Sequence, residues 1–216
     1  MGEIVCMHSL CEDVHLDRDQ LPLIERIVEL LEERRAYREA HPITRDPFTL
    51  KPGFRAVDAY PPGASQRAIG AFEKKYNWKL PDDLRAWLRI TNGAAGYLGV
   101  DTAERGSRIS EIWESYPDWK KSNWIPIARD DFGNYYVALA DKSTTSPVAF
   151  FEGIGSEYPR YLVGSDVLHF VLLKLLEFKD VAPGSSTSPW PFGREYVLKL
   201  DPSIEHLNIG VPLAWD

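Results

Sequence analysis

The chain has 216 residues, of which 44% are hydrophobic and 12% aromatic. That is enough apolar material for one ordinary domain with appendages, or for two small ones. A formal net charge of −7 argues against a nucleic-acid binder that depends on phosphate contacts, and no apolar run is long enough to span a bilayer. The first residues, "MGEIVCMHSLCEDVH", lack the basic n-region and the apolar stretch of a secretory signal. Cys6 stands where a myristoylation motif needs Ser or Thr. Two cysteines make no disulfide framework, so a reducing cytoplasm is the expected location.

Residues 21–39, "LPLIERIVELLEERRAYRE", set Leu23, Ile24, Ile27, Val28, Leu30 and Leu31 on one stripe. This predicts an amphipathic helix, with Pro22 in its first turn. Such a stripe must be buried. The stretch 41–63 has five prolines and no period, and reads as an extended linker.

Ser65 can cap a helix in which Ile69, Phe72 and Tyr76 share a face, with Glu73 on the solvated side. Pro81 suits the start of the next helix, and Asp82 and Asp83 favour its positive end. Leu84, Trp87 and Leu88 form the buried set there, and Asn92-Gly93 supplies a left-handed exit. "GYLGVDT" (96–102) reads as a short strand, and "SEIWESYPDWKK" (110–121) as a short helix stopped by Pro117. "WIPIA" (124–128), "YYVALA" (135–140) and "PVAFFEG" (147–153) are β-rich runs without intervening helices, which implies an antiparallel meander. Ser165 and Asp166 open "VLHFVLLKLLEF" (167–178), apolar on nearly every side and therefore in need of cover. "EYVLKL" (195–200) is a last strand candidate.

The residues that could carry chemistry do not assemble into a site. "DDFGNYYVAL" (130–139) crowds Asp130, Asp131 and Asn134 around Phe132-Gly133. It lacks the alternating ligands of a calcium loop, and the lone "DFG" lacks every other protein-kinase element. Asp, Gly and Asn are what a tight β connection needs, so the stretch reads as a turn. Cys6, His8, Cys11 and His15 are all zinc-ligand types, but structural zinc sites separate their ligand pairs by a dozen residues or more. "GIGSEYP" (153–159) has Tyr158 where a dinucleotide loop needs its third Gly. Ser165 reads as a helix cap and His169 as a half-buried core histidine. No nucleophile, base and orienting group come together, so no enzyme is expected, and neither a cofactor nor a metal. Trp78 and Trp87 are expected to pack the two-helix unit. Trp113, Trp119 and Trp124 could be core or could face a partner. Those three, with the exposed polar groups of Asp130, Asp131 and Asn134, are the candidate partner-binding residues.

Three segments in order, "IGAFEKKYNWKLPDDLRAWLRITNGA" (69–94), "WIPIARDDFGNYYVAL" (124–139) and "LVGSDVLHFVLLKLLE" (162–177), resemble the SMI1/KNR4 family of the SUKH superfamily. The resemblance implies an α+β fold, with a mainly antiparallel sheet packed by helices. It also implies a protein-binding role without a shared catalytic apparatus. Many bacterial members are immunity proteins that neutralise toxins, and fungal members are interaction hubs in cell-wall signalling. The expected organisation is an N-terminal helix and Pro-rich linker at 1–64, a SUKH domain at 65–180 and an extension at 181–216. The expected partner is a protein, not nucleic acid or a membrane.

Overall fold

The computed structural model describes residues 20–41, 61–94, 96–103, 107–130, 132–140, 145–153, 157–180 and 190–215. The Cys/His cluster near the N-terminus, Asp131 and most of the Pro-rich stretch lie outside them. The described elements are α1 (Leu21–Ala40), α2 (Gln66–Tyr76), α3 (Asp82–Ile90), α4 (Ile109–Ser115), α5 (Pro117–Lys121), β1 (Trp124–Arg129), β2 (Tyr135–Leu139), β3 (Val148–Phe151), β4 (Tyr161–Gly164), α6 (Val167–Asp180) and α7 (Arg194–Leu200). A 3-10 turn at Pro202–His206 follows. The class is α+β.

The four strands form one antiparallel sheet in the order β1-β2-β3-β4. Successive residues of a strand face opposite sides. In β2, Tyr136 meets Phe170 of α6 at 4.9 Å between ring centres, while Tyr135 meets Trp119 of α5 at 5.5 Å. Its cross-strand partner Phe151 lies 5.0 Å from the same indole. One face is therefore covered by α6 and the other by the α4–α5 pair. Both edges are also occupied. Leu98 N donates to Ile127 O on the β1 side, and Leu162 N donates to Pro212 O on the β4 side, each at 2.8 Å. Covered edges leave fewer free backbone groups to recruit another chain.

The N-terminal helix packs across α6, as its stripe requires. Ile24, Ile27, Leu30 and Leu31 are buried, Leu23 and Val28 are partly buried against the core, and the Arg34 guanidinium donates to the Leu175 carbonyl. Helix α6 is thus apolar all round because α1 lies on one side of it and the sheet on the other. Capping of α2 follows the sequence: Ser65 Oγ accepts from Ala68 N at 3.1 Å, and Asn77 ends the helix in the left-handed region at φ 51°. The preceding segment is pinned to α3 by Ala64 N donating to Leu88 O at 2.7 Å. A Cβ on Gly63 would sit 1.7 Å from the Arg89 carbonyl oxygen, so glycine is required there.

Three sequence expectations change. The run 195–200 is helix α7, not a strand. Its Tyr-Val-Leu core breaks strict alternation, and a short apolar run does not separate helix from strand by itself. Residues 96–102 make only isolated bridges, Tyr97 to Ala128 and Gly99 to Arg108, because Gly96 turns the chain at φ 80°. Pro117 stops α4 but also starts α5, where its fixed φ suits a first helical position.

Trp87 is 1% exposed and lies 4.9 Å from the Tyr97 ring. Trp87→Ala should destabilise the protein by about 3–5 kcal/mol, the usual cost of truncating a buried tryptophan, as read by urea unfolding. Deletion of residues 1–46 uncovers α6, and should yield soluble aggregates or a steep fall in Tm. A truncated monomer of unchanged Tm would show that α1 is dispensable to the core.

Candidate functional site

The β1–β2 connection is built on one carboxylate. Asp130 Oδ1 accepts from Phe132 N and Asn134 N, each at 2.9 Å, and Oδ2 accepts from Asn134 Nδ2 at 2.7 Å. Gly133 at φ 84° supplies the left-handed step. Asn134 Oδ1 then accepts from Gly153 N at 2.7 Å, which straps the β1–β2 turn to the β3–β4 connection. The polar atoms of Asp130 and Asn134 are thus largely engaged within the protein, as a turn requires. Phe132 is displayed instead, 88% exposed at the tip. Tyr158 in the β3–β4 connection is 73% exposed. Sequence reasoning missed Phe132 as a candidate. The available signal was an aromatic in the middle of a turn, where the turn itself gains nothing from it.

The tryptophan candidates separate. Trp113 and Trp119 are buried, at 4% and 3% exposure. Trp113 Nε1 donates to the Trp124 carbonyl at 2.9 Å, and its ring stacks on Trp78 at 4.8 Å. Trp119 stacks on Tyr116 at 4.4 Å. Both are core residues of this chain. Trp124 is partly buried, with its ring 5.3 Å from Phe151.

A second polar cluster surrounds the start of α6. Asp83 is fully buried; its Oδ2 accepts from Ser146 N at 3.1 Å and from Val167 N at 2.9 Å, and its Oδ1 from Leu84 N at 2.8 Å. The cap of α6 is Asp166, not Ser165: Asp166 Oδ1 accepts from His169 N, and Oδ2 meets His169 Nδ1, both at 2.8 Å. Ser165 N donates to Asp201 Oδ2 at 2.7 Å. Burial pushes the Asp83 carboxyl up to about 7 against its three N–H donors, and the nearby Asp166 charge adds to the rise. Burial also raises Asp201, against the opposing effects of His169 and Ser165. Burial alone would lower His169, but the Asp166 hydrogen bond and the charges of Asp166 and Asp201 outweigh it, so its pKa is raised. Glu73, expected in solvent, is largely buried. Its Oε1 pairs with Arg85 at 2.7 Å and accepts from Leu80 N at 2.8 Å. These groups brace the fold. Among the described residues no group of three or more metal-ligating side chains could hold an ion, and no helix is long and apolar enough to cross a membrane.

Residues 63–172, just over half the chain, match the SMI1 / KNR4 family (SUKH-1). Among curated proteins none matches the chain.

Raised pKa values at Asp83 and His169 give stability the same sign of pH dependence. The Asp83 contribution is complete below the ordinary Asp value of 3.8 and declines as pH rises to about 7. The His169 contribution is complete below 6.5 and is lost as pH rises through its higher folded value. Tm should therefore fall as pH rises from about 4 to about 7 through Asp83 and continue to fall above 6.5 through His169, and Asp83→Asn should flatten the acidic part of that slope. Asp83→Ala leaves the buried N–H groups of Ser146 and Val167 unpaired, and should cost about 2–5 kcal/mol by urea unfolding at about pH 7.

Proposed function

The chain belongs to the SMI1/KNR4 family (SUKH-1), and from that premise we propose that it is a non-catalytic cytoplasmic binding protein. Its best-supported role is that of an immunity protein, which neutralises a bacterial toxin by covering a functional surface of it. The observation that carries the reading is Phe132, 88% exposed on a turn fixed by the hydrogen bonds of Asp130 and Asn134. An aromatic side chain held out on a rigid turn has little ordering entropy left to lose on association, which suits a binding hot spot. Tyr158 and the Arg160–Glu152 ion pair, 3.1 Å apart in the strapped neighbouring connection, supply further contact area and a polar rim. Blocking by surface complementarity needs no cofactor. The polar atoms of Asp130 and Asn134 support this reading, because they are occupied in holding the turn.

The test looks for a toxin gene beside this one, whose absence would count against the reading, and uses its product. Co-expression should protect cells, and calorimetry should give a stoichiometric complex. Phe132→Ala should weaken that complex about 30-fold or more, as loss of a hot spot does, with Tm unchanged. A variant that binds as tightly as the native protein would remove the turn from the interface. Failure to bind the toxin, with several unrelated host proteins retained instead, would favour a regulatory scaffold of the fungal type.

A further inference from the structure

The segment after α7 is tied to the start of α6 by a charged cluster and to the sheet at the β4 edge. His169 Nδ1 meets Asp166 Oδ2 at 2.8 Å, with both side chains largely buried. Asp201, directly after α7, is fully buried. Its Oδ2 accepts from Ser165 N at 2.7 Å, while its Oδ1 accepts no hydrogen bond among the described residues. A carboxylate oxygen buried without a donor is costly unless a cation lies near. The His169 ring can supply that cation. Its positive charge favours the ionised form of Asp201, and the charges of Asp166 and Asp201 in turn hold the proton on His169. Other cations on the elements packed here are engaged or turned outward. Lys174 pairs with Glu177, Arg194 pairs with Glu205, Arg34 donates to the Leu175 carbonyl, and Lys199 and His206 are exposed. Asp83 on α3 adds a third carboxylate beside Asp166. Beyond Asp201 the chain makes the 3-10 turn, buries Ile204 and reaches the β4 edge, where Leu162 N donates to Pro212 O and Leu162 bridges Leu213.

We propose that His169 is the clamp of a pH-sensitive latch: as an imidazolium it joins Asp166 on α6 to Asp201, and its deprotonation loosens the segment from Asp201 to Leu213 and frees the β4 edge. The direction follows from linkage. The His169 pKa is raised above the ordinary 6.5, so the clamp is complete below that value and is lost as pH rises through the higher folded one. The raised carboxyls of Asp83 and Asp201 act in the same sense, because each gains negative charge as pH rises. Burial of Trp190 and Val197 holds α7 whatever the charge state, so the opening is confined to the segment after it. A freed Leu162 amide leaves the β4 edge able to pair with another strand.

The inference stands apart from the toxin-binding reading, because it concerns other residues and is probed without the toxin. The probe is amide hydrogen exchange on the full chain, read by NMR from about pH 6 to about pH 8.5 and corrected for intrinsic exchange, with the His169 ring titrated alongside. Protection of the Leu162 and Ile204 amides should fall several-fold more than that of the β2 amides, and His169 should titrate above 6.5. His169→Gln, which cannot carry the charge, should show the low, high-pH protection of those two amides throughout. Asp201→Asn should move the His169 titration to lower pH, which a purely structural role for Asp201 would not do. If either variant melts early, the native chain still decides. Titration of His169 at or below 6.5, loss of protection at Leu162 and Ile204 in step with β2, or a native pH profile in His169→Gln would overturn the proposal.

Discussion

The buried carboxylate of Asp83 fixes where the rest of the chain can go. It leaves the first turn of α3 and takes N–H groups from the β2–β3 connection and from the start of α6, 63 and 84 residues further along the chain. Those donors would otherwise be buried without partners, at a cost of about 1–3 kcal/mol each. Helix α6 is in turn the layer between α1 and the sheet, so its position sets both contacts. Asp201 repeats the device from the C-terminal side by accepting from Ser165 N. Two buried carboxylates thus converge on the start of one helix, whose N-terminal partial charge favours anions. Desolvation works against them, and this is why burial raises both groups. The tie is strong because it is geometric and not because the charge is comfortable.

What was readable in the sequence is what is decided locally. Ser65 caps α2 three residues from the amide it serves. The stripe from Leu23 to Leu31 declares a buried face, and its partner α6 is the one segment with apolar surface to spare. The meander follows from three β-rich runs joined by turn residues. What was not readable depends on partners far along the chain. Nothing near Glu73 announces that Arg85 will enclose it, and nothing near Asp83 announces Ser146 or Val167. Asp166 and not Ser165 caps α6, which begins at Val167, and the Ser165 amide donates to Asp201, in a segment the sequence left without a role. Residues 195–200 carry an apolar run that fits either period. Contact of α7 with α6 and burial of Val197 settle it as a helix.

The candidate site shows the same division in smaller compass. That 130–134 is a turn followed from its Asp, Gly and Asn. Which of its side chains faces outward did not follow, because polar residues look like surface residues. Here the polar atoms close the turn on itself and on Gly153, and the apolar residue is the one displayed. Display is thus separated from turn formation: Asp130 and Asn134 hold the shape, and the Phe132 side chain stands outside it.

The turn and the end of α5 also share a frame. Tyr135 is the first residue of β2, directly after the turn, and it packs against Tyr116 and Trp119 at 5.5 Å each. Trp119 belongs to α5, whose next residue, Lys120, reaches the Tyr76 and Trp113 rings. The turn that carries Phe132 and the end of α5 are therefore set on one continuous aromatic layer. Aromatic contacts at these separations hold both with few rotatable bonds between them. A partner engaging the turn would meet groups already in position, so more of its contact energy would appear as affinity and less would be consumed in ordering the protein.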